Sequence, residues 1–145
     1  MVIAVDFDGT IVEHRYPRIG KPIPFAIETL QKLHADRHLL ILWTVREGEL
    51  LQEAIDYCAS KGLHFYAHNA NFPEENRLDA PRKLTADIFI DDRNLGGLVD
   101  WEVMYQVITA LRKGSTIAPM YNVEEGGNVQ RRKQKKGFLA SLFKS

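Results

Sequence analysis

Two acids stand two residues apart in Asp6-Phe7-Asp8-Gly9-Thr10, directly after the apolar and mostly β-branched run Val2-Ile3-Ala4-Val5. A second acidic pair, Asp91-Asp92, follows Ile88-Phe89-Ile90, and Thr44 follows Leu39-Leu40-Ile41-Leu42-Trp43. Short apolar runs of this kind read as strands buried on both faces, so each of three strands runs straight into a polar group. Carboxylates gathered at one sheet edge repel, and burying even one unpaired carries a desolvation cost of several kcal/mol. A cation among them relieves both. Hard carboxylate oxygens suit Mg²⁺, which takes one or two carboxylates, waters and commonly a substrate phosphate. The competing reading, in which each Asp merely caps a turn, must treat three strand ends as coincidence.

The elements that would position these groups alternate. Between the apolar runs the period becomes helical: Ala26, Leu30 and Leu33 share a face, as do Leu51, Ala54, Ile55 and Cys58, and later Met104, Val107, Ile108 and Leu111. Gly62 and Gly114 stand where two of these helices should stop. Residues 63–66 are a weaker strand candidate. Strand and helix in alternation predict a parallel sheet covered on both faces, with ligands bound outside the carboxyl ends of the strands. Residues 14–24, with three prolines, read as a flap over the first strand, and residues 68–83 as a long binding loop.

With 145 residues, the chain fits one catalytic domain over residues 1–114, followed by a flexible tail over 115–145. A single cysteine excludes an internal disulfide framework and fits a cytoplasmic location. Neither a secretory signal nor a long apolar span is expected. The net charge of +0 hides an imbalance: six of the 19 basic residues lie in 131–145, which holds no acid, so residues 1–130 carry 13 bases against 19 acids. A body of about −6 argues against general nucleic-acid binding. In the tail, the basic run ahead of Phe138, Leu139, Leu142 and Phe143 has the pattern of a short amphipathic helix for a membrane surface or partner groove, against the alternative of a solubilising tail.

The first motif after a buried strand, Thr44 at the second strand end, and a lysine upstream of Asp91-Asp92 resemble the haloacid dehalogenase-like (HAD) superfamily over about residues 2–113. The resemblance implies an α/β, Rossmann-like three-layer sandwich with parallel strand order 3-2-1-4-5. It implies that Asp6 is the nucleophile that forms an aspartyl-phosphate and that Asp8 is the general acid and then base. Thr44 would bind a phosphoryl oxygen, and Lys83 would neutralise charge. Metal ligation would fall to Asp6, Asp8 (through its main-chain carbonyl), Asp91 and Asp92, with Gly9 and Thr10 shaping the loop around the substrate. The implied activity is Mg²⁺-dependent hydrolysis of a phosphate monoester. The alternatives are a binding or regulatory module of weak turnover and transfer to an acceptor other than water.

About 33 residues lie between Thr10 and Thr44, and about 38 between Thr44 and Lys83. Neither interval can hold a cap domain besides its helix and strand. Selectivity would then rest on local groups. Arg46 could reach a phosphate, and Arg93, the flap residues Arg15, Tyr16, Arg18 and Lys21, and the loop residues His68, Asn69 and Asn71 are further candidates. Resemblance to deoxyribonucleotidase-like relatives around Thr44 and Asp91 suggests a nucleotide monophosphate as substrate. Trp43 and Cys58 read as packing residues, and the five histidines lack zinc spacing.

Overall fold

The computed structural model describes residues 1–114 together with the strand residues 121–123 and 129–131. Four parallel strands form the main sheet: β1 (Val2–Val5), β2 (Leu39–Leu42), β3 (Ala67–His68) and β4 (Ile88–Ile90), in the order 3-2-1-4. Helices α1 (Ala26–Ala35) and α2 (Gly48–Ser60) connect β1 to β2 and β2 to β3, and α3 (Trp101–Arg112) follows β4. The expected central position of β1 holds, with Val5 paired to Leu42 on one side and to Ile90 on the other. Two further strands, β5 (Tyr121–Val123) and β6 (Val129–Arg131), pair antiparallel within the segment read as a tail. The expected amphipathic helix around Phe138 to Phe143 lies outside the described residues.

Three expectations change. The late strand sits at Ala67–His68 rather than at residues 63–66, because Leu63 and Phe65 turn into the core instead and Ile41 pairs with Ala67. Among the described residues no fifth strand joins the sheet beside β4. The chain after β4 returns as α3 and packs against α1, so it stays over a face that helices already cover. Finally, the helices do not divide between two faces. Ile3, Val5, Leu40, Leu42 and Ile90 share one core cluster with buried residues of all three helices. Ala4, Ile41, Ala67 and Leu84 form a second cluster that contains no helix residue, with Trp43, Ala86 and Phe89 packed against it. Strand side chains alternate between faces, so the long loop, through Leu84 and Ala86, supplies cover where a second helical layer was expected.

Local chemistry explains the helix ends. The Asp100 carboxylate accepts from the Glu102 and Val103 amides at the start of α3. Gly62 and Gly114, with φ of 75° and 86°, follow α2 and α3 in the left-handed conformation that glycine adopts without strain. No helix among the described residues is long and apolar enough to cross a membrane. Cys58 is fully buried, and burial pushes its thiol up to about 12. A thiol of that kind is inert. The folded protein should therefore resist a disulfide reagent at neutral pH and react at one thiol per chain once denatured; rapid labelling of the native protein would contradict this packing.

Candidate functional site

The parallel register sets the site. Beyond the paired residues, Trp43 donates its amide to Val5 O at 2.8 Å and Asp6 donates to Ile90 O at 2.9 Å. One step past the Val5 register, Asp6 therefore lies between Trp43 and Asp91 on neighbouring strands. By alternation all three point to the helix-free side, the side of Ala4, Ile41 and Phe89. Asp6, Asp91 and Asp92 each bring one carboxylate oxygen within 4.8 Å of the others, a group that can hold a metal ion.

A tight loop closes this edge. The Ile11 and Val12 amides both donate to Phe7 O, and Gly9 turns with φ of 95°. A Cβ at Gly9 would collide with the Asp92 carboxylate, with Cγ only 2.6 Å away, so glycine is required here for close approach as well as for conformation. Thr10 is wholly buried and acts as a bridge. Its hydroxyl donates to Asp6 Oδ2 at 3.3 Å and accepts from the Asp92 amide at 3.0 Å, while its carbonyl accepts from Trp101 Nε1 at 3.2 Å. Thr10 thus positions two acids rather than presenting itself to a substrate. Asp91 Oδ1 accepts from the Arg93 amide, whereas Asp92 Oδ1 is buried without a partner. Burial is the main influence on the Asp6 carboxyl. With the charges of Asp91 and Asp92 it outweighs the opposing hydrogen bonds from the Phe7 backbone and Thr10 and pushes the group up to about 7.

Asp8, whose expected metal contact is through its main-chain carbonyl instead, does not bring its carboxylate into this group. Arg46 takes both its oxygens, with Nε to Oδ2 at 2.6 Å and Nη2 to Oδ1 at 2.8 Å. The same guanidinium donates to Pro17 O at 2.9 Å and Arg18 O at 3.2 Å and lies over the rings of Phe7 and Tyr16. Arg46 is fully buried, so it is not the open anion-binding side chain that its position after Thr44 suggests. It ties the flap to the first motif instead. The Asp8 carbonyl, the expected ligand atom, faces His14 Nδ1 at 3.4 Å.

Thr44 is buried at its strand end and accepts from the Arg46 amide at 3.2 Å. Asn69 holds this turn from across the sheet: its Oδ1 accepts from the Thr44 amide at 2.8 Å, and its Nδ2 donates to Arg46 O at 3.1 Å. Asn71 ties the loop ends together, accepting from the Thr85 amide at 2.7 Å and donating to Glu75. Both asparagines are loop clamps, not free recognition groups. Lys83 is exposed; its ammonium lies 5.7 Å above the Phe89 ring, on the Asp6 side of the sheet. Among the described residues it makes no ion pair with the three acids. A bidentate pair that sequence reading missed, Arg77 with Glu47 at 2.8 Å for each bond, joins the long loop to the start of α2.

Removing one partner of a buried ion pair strands the other charge. Arg46→Met should therefore lower unfolding stability by about 3–5 kcal/mol, and adding Asp8→Leu should restore much of it, as read by denaturant titration. The acidic group gives a second expectation. An acid whose folded pKa exceeds its unfolded value binds more protons when folded, so stability falls as pH rises between the two. Without a divalent cation, the melting temperature should fall as pH rises from 3.8 through about 7. Mg²⁺ should reduce that fall relative to EDTA; identical melting profiles with and without the cation would contradict a metal-holding group.

No protein-family model matches the chain, and no curated protein matches it. Among solved structures, a conserved protein from Bacteroides thetaiotaomicron is 60% identical, with a TM-score of 0.73, and the match covers 80% of this chain and 93% of that one. The chain belongs to the same family as this conserved Bacteroides protein.

Proposed function

We propose that the chain is a Mg²⁺-dependent phosphatase with HAD-like chemistry on a Rossmann-like sheet. The observation that carries this reading is the convergence of Asp6, Asp91 and Asp92 at the carboxyl ends of adjacent parallel strands. The fit to a cation rests on two features of the group: a buried Asp92 oxygen without a partner, and an Asp6 carboxyl pushed up to about 7 when no cation is present. Oxygen-only ligands favour Mg²⁺, and a cation bound by the three acids would offset the negative charge of a phosphoryl group.

Asp6 attacks phosphorus, the bond from phosphorus to the ester oxygen breaks, and the departing oxygen takes a proton from Asp8. Asp8 then takes a proton from water as that water attacks the aspartyl-phosphate, which releases inorganic phosphate and restores Asp6. Thr44 keeps a hydroxyl proton to donate to a phosphoryl oxygen, because its own oxygen already accepts from the Arg46 amide. Lys83 lies on the same side of the sheet as Asp6, where its ammonium can stabilise charge on the transferring group. For Asp8 to have a proton to give, Arg46 must release one of its oxygens, which then takes that proton from solvent before the ester bond breaks. That grip favours a second reading, a metal-binding module of low turnover in which Asp8 is structural.

A screen of phosphate monoesters with Mg²⁺ and with EDTA separates the two. The phosphatase reading expects turnover that EDTA abolishes and that Asp6→Asn lowers by about 10⁴-fold while Mg²⁺ still raises the melting temperature. Turnover retained in Asp6→Asn would overturn the nucleophile assignment, and silence across the panel would favour the module.

A further inference from the structure

Under the long loop the sheet opens into a cleft of about 300 Å³, lined by Trp43, Ala80, Pro81 and Leu84, with Glu75, Arg77 and Arg82 among its other lining residues. The same register argument that places Asp6 next to Trp43 puts this cleft on the Asp6 side of the sheet. Neighbouring strands are about 4.8 Å apart, so Trp43, which lines the cleft, stands on the strand next to Asp6. Its indole is only partly buried, although its inner part packs on Ala4, Ile41 and Leu84. The long loop that forms the far wall is held at several points. Arg77 is bound to Glu47, Asn71 to Thr85, and Asn69 to the Thr44 turn. A clamped wall of this kind makes a preformed cleft.

Building on the phosphatase reading, the geometry points to this cleft as the subsite that selects the alcohol part of the ester, and to a planar, unsaturated ring as its occupant. An indole face with Pro, Ala and Leu around it suits a flat apolar group. The volume lies at the lower end of ligand cavities, which run from about 300 to 1,000 Å³, so it has room for one ring system. Arg82 is exposed and, among the described residues, has no ion-pair partner. It favours a ring that carries an acceptor-rich edge, while Glu75 in the same lining opposes a full negative charge there. Trp43 is then a specificity residue, although its sequence context marks it as core.

The test uses benzylphosphonate and butylphosphonate, which are not hydrolysed, titrated into the full chain with Mg²⁺ by calorimetry and displaced with inorganic phosphate. Benzylphosphonate should bind on the order of tenfold tighter. The ratio should fall to about one in Trp43→Leu, which removes the aromatic face, and in Ala80→Trp, which fills the cleft and keeps Trp43. Two independent variants keep the test decisive if one of them folds poorly. Equal affinities in the natural protein, with both ligands displaced by phosphate, would overturn the ring subsite and leave the phosphatase reading standing, as would a preference that survives both variants. Failure of phosphate to displace either ligand would overturn both.

Discussion

A guanidinium taken wholly out of water is tolerable only when its donors find oxygens and a negative charge lies close by. Arg46 meets both conditions with Asp8 and with the carbonyls of Pro17 and Arg18. The partners come from two places, the first motif and the flap, while Arg46 itself stands on the turn after β2. Their shared cation fixes those segments relative to one another. The turn is in turn held by Asn69 from the end of β3. Loosening Arg46 would disturb the flap, the Thr44 turn and the Asp8 side chain together, so a single buried charge couples the parts that surround the acidic group.

The acidic group shows the opposite economy. Among the described residues Asp6, Asp91 and Asp92 make no ion pair, and the charges of Asp91 and Asp92 add to burial in raising the pKa of Asp6. Thr10 and the close approach of Asp92 to Gly9 nonetheless hold the geometry in place. Two carboxylate environments thus stand side by side on one loop: Asp8 neutralised by the protein, and Asp6 left for something outside it. A carboxyl perturbed as Asp6 is, by burial and nearby like charges, is common where chemistry is done.

Placing all three helices in one core cluster leaves the other face to a loop, and this bears on access. The loop passes Trp43 through residues 75–82 and then carries Leu84 and Ala86 into the second cluster, and the space left under it is the cleft lined by Trp43. A helix in that position would have filled the space with its own side chains.

The sequence by itself determined the local features. Val2–Val5, Ile88–Ile90 and the three helical faces were legible because periodicity and runs of apolar residues report burial directly. The meeting of Asp6 with Asp91 and Asp92 followed from the rule that parallel strand ends share an edge. Strand β3 was misplaced by a few residues because Ala67 and His68 have little strand propensity of their own and are recruited by pairing with β2. The tertiary structure alone decided the role of Arg46. In the sequence it reads as a side chain free to reach a phosphate, until Asp8, 38 residues away, and two flap carbonyls are folded around it. The same holds for the pair that opens the chain's chemistry: spacing made Asp6 and Asp8 look alike, and only long-range burial and pairing gave one a guanidinium and the other two like charges.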